Sequence, residues 1–138
     1  MLYKKLLMAL ACKESEVRVI REAVRIATET HADLTVLHVN DPHAGKAHMM
    51  MDALPRITEA DIRNLFRAAG FVKEAEQVKI EITKGESCPH AIASATEDAD
   101  LLIIGHCRRN RFLHAFVDSV DERVTNLVSC PVMIVPRG

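Results

Sequence analysis

The residues of this chain best equipped for chemistry are Cys12 and the pair His106-Cys107, each set directly after an apolar run that ends in Ala11 or Gly105. Two thiols brought within disulfide reach form a redox pair, and two thiols with an imidazole suit a soft metal. Zinc sites, however, usually bring two ligands from a short spacer on one turn or helix. Neither these residues nor His43 and His48, farther along, keep that spacing, so no metal site is expected. Arg108, Arg109 and Arg111 form a second cluster. Guanidinium forks suit phosphate, whereas the same arginines on a solvated loop would pair with Asp118 or Asp121. Met49-Met50-Met51 beside His48 reads as adaptable packing or a partner surface. No Ser-His-Asp or Cys-His arrangement stands at motif spacing and no carboxylate pair stands out, so no catalytic residue is assigned and the chain is not expected to be an enzyme.

At 138 residues the chain, 1–138, is expected to fold as one domain around one core. A net charge of −1 with 27% charged residues argues against a nucleic-acid or anionic-membrane binder. Small molecules and other proteins are the expected partners. The four cysteines, Cys12, Cys88, Cys107 and Cys130, lack Cys-x-x-Cys spacing and read as reduced thiols in a cytoplasmic protein. The start, Lys4-Lys5 followed by Leu6 to Ala11 and Cys12, looks like an export signal, but its apolar run is shorter than the roughly 7 to 15 residues of an h-region. It fits a buried strand. No other segment approaches the ~20 apolar residues of a membrane span.

Leu6 to Ala11, Leu34 to Val39 and Asp100 to Gly105 are apolar or β-branched runs expected to be strands. Val78-Lys79-Ile80-Glu81-Ile82 alternates and is placed at a sheet edge. Helices are expected between them: one capped by Ser15 with Val17, Ile20, Ala23, Val24 and Ala27 inward, and one opened by a Thr58/Asp61 capping box with an Ile57/Ile62 staple and ended by Gly70. A short helix follows Ser87, running through Ala91, Ile92 and Ala95. Ser119 to Glu122 is a second capping box, with Val120, Val124, Leu127 and Val128 as its buried stripe. Asn40 to Leu54 loses periodicity and reads as a long loop or a partly helical excursion. Strand and helix alternating in this way give an α/β domain with a parallel sheet covered on both faces.

Within that frame the last third of the chain has a specific pattern: strand, Gly105, a loop, a helix start at Ser119, and a final strand opening Cys130-Pro131-Val132. With Tyr3 to Leu10, Leu37-His38-Val39, Gly85-Glu86 and Asp98-Ala99-Asp100, it resembles the universal stress protein family over nearly the full length. The resemblance implies a three-layer α/β/α fold with a five-stranded parallel sheet, order 3-2-1-4-5, of the adenine nucleotide alpha hydrolase-like kind. It also implies a ligand crevice at the carboxyl ends of the first and fourth strands. ATP-binding members have an Asp after the first strand and a Gly-x-x-Gly loop with Gly-Ser at the next helix start, which lets backbone N–H groups hold phosphate. Here the matching positions are Ala11, Gly105, Arg108, Asp118 and Ser119. The ribose acceptor and two loop glycines are therefore replaced, and a carboxylate at Asp118 repels a triphosphate. These departures resemble the universal stress protein A branch, which does not use the ATP loop.

The reading is a non-enzymatic, cytoplasmic stress-response accessory protein, a dimeric interaction module with weak or no ATP binding and no required cofactor. Residues placed to touch any adenine nucleotide are Ala11, Val39, Ile104, Gly105, Arg108, Ser119 and Val120. A homodimer is expected through the last strand, Val132, Met133, Ile134 and Val135, an apolar edge with no lysine guard, together with an unidentified protein partner. Two alternatives stay open: a sensor of AMP, ATP or a cyclic nucleotide using the Arg108 to Arg111 loop, and a thiol or metal sensor using Cys12 and Cys107.

Overall fold

The computed structural model describes residues 3–11, 16–40, 56–85, 88–105 and 120–136, the last without the side chains of 120–122. Ser15, Ser87 and Ser119, expected as helix caps, lie outside the described residues, as do 41–55 and 106–119.

Five strands, β1 (Lys5–Ala9), β2 (Asp33–Asn40), β3 (Lys79–Lys84), β4 (Leu101–Gly105) and β5 (Val132–Val135), form one sheet in the order β3-β2-β1-β4-β5. All four pairings are parallel. The central runs are apolar at consecutive positions because both faces are covered. Leu6, Met8, Val36, Leu101 and Ile103 turn to one face, where they pack with Val19, Ile20, Ala23 and Val24 of α1 (Val17–Thr30) and Ile62 and Phe66 of α2 (Glu59–Ala68). Leu7, Leu37, Leu102 and Ile104 turn to the other, against Ile92 of α4 (Cys88–Ala95) and Val124 of α5 (Val120–Thr125). The result is three layers with strand alternation deciding which helix each side chain meets.

Local chemistry explains most boundaries. Thr58 accepts from the Asp61 amide while the Asp61 carboxylate accepts from the Thr58 amide, which closes the capping box that opens α2. The Thr58 amide and hydroxyl, both donating to that carboxylate, hold the Asp61 carboxyl below the usual carboxylate range. Ile57 packs on the same cluster as Ile62. Gly70, at φ 94°, turns the chain after α2 in a conformation that suits glycine. A further helix, α3 (Val72–Gln77), follows at once and buries Ala75. The strand expected over 78–82 starts one residue later, because Val78 caps α3, and it runs on to Lys84. Asp100 ties β4 to β1: its Oδ2 accepts from the amides of Lys4 and Lys5, both at 2.9 Å.

Three expectations change. The N-cap of α1 is Glu16, whose side chain does not cap the helix. Val19 belongs to its buried stripe, because a stripe of about 100° admits neighbours at i and i+1. Leu127 is 43% exposed, since α5 ends at Thr125 and the chain turns before the helical stripe reaches it.

Candidate functional site

From β1 the chain winds outward to β2 and β3, then returns to lay down β4 and β5 on the other side. In open sheets of this kind the ligand crevice lies beyond the carboxyl ends of the two strands at which the order reverses, which are β1 and β4 in this order. Ala9 stands beside Ile104, so Leu10, Ala11 and Gly105 form the lip.

A polar network occupies the β1 and β2 side of this lip. The Leu10 amide still donates to the Leu37 carbonyl at 2.9 Å, as a continuing strand would. The next peptide unit, Leu10–Ala11, is held from both ends. Its carbonyl oxygen lies 2.8 Å from His38 Nδ1, and its N–H donates to Glu16 Oε2 at 3.2 Å. Glu16 is only 4% exposed although it stands at the start of α1, where the helix dipole favours a carboxylate. His38 Nε2 lies 3.1 Å from Asn40 Oδ1. The Asn40 amide in turn pairs with the main chain of Ile57, donating from Nδ2 to the carbonyl at 3.0 Å and accepting the Ile57 N–H at Oδ1 at 3.2 Å. The Asn40 carbonyl accepts from Gly85 at 3.2 Å. Buried polar groups require such partners, and these bonds join the ends of β1, β2 and β3 to the approach to α2.

The adenine-facing candidates lie partly on the opposite face. Val39 and Ile104 both pack into the α4/α5 cluster, with Ala9 between their strands, and make an apolar floor. Gly105 is buried at the end of β4, opposite Val135. Ala11 is half-buried, and Glu16 engages its N–H. Val120 starts α5. Arg108 and Ser119, with Arg109, Arg111, Asp118, Cys12, His106 and Cys107, lie outside the described residues. Among the described residues no group of three or more His, Cys, Asp or Glu is arranged to hold a metal, and no helix is long and apolar enough to cross a membrane. Neither Cys88 nor Cys130 is in a disulfide, and burial pushes the Cys130 thiol up, away from the reactive thiolate. At the edge strand, Val132 and Met133 are half-buried, Ile134 is 42% exposed and Val135 is buried. A groove of about 390 Å³ elsewhere, lined by Lys5, Asp33, Lys79, Glu81, Glu97 and Asp98 among others, opens at the amino ends of the strands, remote from the crevice.

Glu16 was not foreseen as a site residue; Asn40 was expected to face the crevice, but its hydrogen-bond partners were not foreseen. Glu16 sits in the polar run Lys13-Glu14-Ser15-Glu16, where nothing in spacing separates a buried carboxylate from solvated ones. The one signal for Asn40 is an amide at the end of a strand whose inner positions are largely apolar. Its partner Ile57 is 17 residues away.

Sheet order defines an open, doubly wound parallel α/β domain whose strand order reverses between β1 and β4, the place where sheets of this kind take their ligands. The universal stress protein family model matches residues 2–136, and the chain belongs to that family. No curated protein matches it. Solved structures do: a universal stress protein in complex with cAMP is 21% identical over all of both chains, with a TM-score of 0.69. The universal stress protein UspA from Lactobacillus plantarum is 23% identical over 98% of this chain and 99% of its own, TM-score 0.63. A universal stress protein from Archaeoglobus fulgidus in complex with dAMP is 19% identical over 98% and 99%, TM-score 0.56. At these identities the likeness carries the adenine nucleotide alpha hydrolase-like fold.

Proposed function

We propose that this universal stress protein is a non-enzymatic, cytoplasmic accessory protein of the A type that acts as a dimeric interaction module and binds ATP weakly or not at all. The observation that carries this is Glu16. The main-chain N–H at the end of β1, in the lip of the cleft, is engaged by a buried carboxylate of the protein itself, and no acidic side chain stands at Ala11 to take a ribose hydroxyl. A polyphosphate entering beside that carboxylate meets like charge in a medium of low dielectric, at a cost on the order of several kcal/mol without a cation. The apolar floor of Val39 and Ile104 remains for an adenine ring, which favours base contact over phosphate contact.

The edge strand supports the dimer. Ile134 is a large apolar side chain left 42% exposed on an unpaired sheet edge, and a second copy of the same edge would cover it. Replacing Val132 and Ile134 by Glu should convert dimer to monomer in sedimentation velocity. A variant that sediments as a dimer would exclude this interface.

The second reading, a sensor of AMP, ATP or a cyclic nucleotide through the Arg108 to Arg111 loop, is favoured by the two relatives whose structures hold cAMP and dAMP. Arg108→Ala separates the readings: it abolishes nucleotide binding in the sensor and changes nothing in the interaction module.

A further inference from the structure

We propose that the solvent face of α1 docks an acidic segment of a partner protein, whose carboxylates meet the guanidinium groups of Arg18, Arg21 and Arg25. This gives the partner of the interaction module its chemistry, and it rests on that reading of the protein. All three arginines are exposed, and their i, i+3, i+7 spacing puts them on one side of the helix, away from the buried Val19, Ile20, Ala23 and Val24. Among the described residues Arg18 and Arg21 make no ion pair or hydrogen bond. Arg25 meets Glu22 at 3.4 Å, but its side chain is 63% exposed, and a surface pair of that kind gives way at little cost.

The helix itself gains nothing from this arrangement. Arg18 stands in the first turn, where the helix dipole favours anions, and Glu29 in the last, where it favours cations; α1 has no acidic residue in its first turn and no basic one in its last. Arg21 and Arg25, four apart, repel each other. The neighbouring α2 follows the rule that α1 breaks, with Glu59 and Asp61 in its first turn and Arg67 in its last. Charges placed against local stability mark a surface shaped for something outside the helix. Every cation of α1 is arginine, the residue enriched over lysine at protein interfaces and suited to hold a carboxylate in its planar fork. A continuous phosphate chain is a poor match, because Glu22 and Glu29 share the helix with the arginines and the whole chain carries −1. Carboxylates spaced over about 10 Å of helix fit the arginines. A cation opposite Glu29 completes the pattern and fixes the direction in which the partner lies. No large apolar side chain of α1 is exposed, so the contact is electrostatic, quick to form and sensitive to salt.

Amide proton–nitrogen spectra of the full chain test this, titrated with a synthetic helical peptide that carries glutamates at the same i, i+3, i+7 spacing and a lysine four residues further on. The expected result is a saturable shift of the α1 amides at about 20 mM salt that weakens at about 200 mM, and no shift with the glutamine version of the peptide. Arg18→Gln combined with Arg21→Gln should weaken binding by about fivefold to tenfold. The same variant should keep or raise the urea midpoint, since it clears a cation from the first turn and a repulsion from Arg25. No α1 shift at millimolar peptide, or unchanged binding in the double variant, would overturn the proposal. A lower urea midpoint would overturn the reading of the helix charges on which it stands. Equal α1 shifts with a DNA duplex or with phosphatidylserine vesicles would overturn the assignment to a protein partner. These outcomes are independent of dimer sedimentation and nucleotide titration, which decide the interaction-module reading.

Discussion

Replacing Asn40 by Ala removes the side-chain clamp that closes the cleft's β2 side. Three hydrogen bonds end together: two with the Ile57 main chain and one with His38 Nε2. At a net contribution of about 1 kcal/mol each, and with the Ile57 groups and the ring left to find water at a nearly buried site, the loss should be about 3 to 4 kcal/mol. A domain of this size has about 5 to 15 kcal/mol in all, so the variant should remain folded but give up a large share of its margin. Between the size classes for which the conversion is known, this is a fall of about 10 °C in Tm. Urea denaturation followed by circular dichroism gives the number, read from the midpoint at constant slope. Asn64→Ala is the control, because that exposed asparagine bonds only to Arg67 among the contacts described, and its loss should stay within about 0.5 kcal/mol. A loss below about 1 kcal/mol for Asn40→Ala would refute the argument that these bonds carry the strand ends.

Asp100 predicts the acid limb of the stability curve. The amides of Lys4 and Lys5, donating to its carboxylate, hold its carboxyl below the ordinary range. The folded state therefore binds this proton less readily than the unfolded chain, so the contribution is present above the unfolded value near ~3.9 and is lost as pH falls through the lower folded value. Asp100→Asn should flatten that limb in a pH series of urea midpoints, and an unchanged limb would remove Asp100 from the account. Gly70→Ala should cost about 1 kcal/mol through its φ of 94° alone, since no atom lies within 4 Å of the added methyl. A neutral or stabilising result would show that the turn relaxes to a right-handed conformation.

The architecture was legible because each central strand carries its own signature. Leu6, Leu7 and Met8 are all buried, and so are Leu101 to Ile104, which is the mark of a strand covered on both faces. Capping chemistry fixed the start of α2 through Thr58 and Asp61, and glycine its end at Gly70. What periodicity left out was α3, six residues too short to show a helical stripe, and the early end of α5 that exposes Leu127. The strand order was available only through the family resemblance, since alternating elements do not say where the sheet reverses. The point where the sheet order reverses was legible by position, but the polar chemistry beside it was not. Val39, Ile104 and Gly105 follow from strand ends, whereas Glu16 and Asn40 act through partners brought together by the fold, the Ala11 amide and the Ile57 main chain. His38 likewise takes its partners from the fold, with the Leu10 carbonyl at Nδ1 and Asn40 Oδ1 at Nε2.

Isothermal titration of the purified protein with ATP and with AMP, with and without magnesium, tests the central claim most directly. The account predicts no heat of binding up to millimolar nucleotide. Micromolar binding would contradict it, and would mean that the loop beyond β4 cradles phosphate despite the carboxylate at the end of β1.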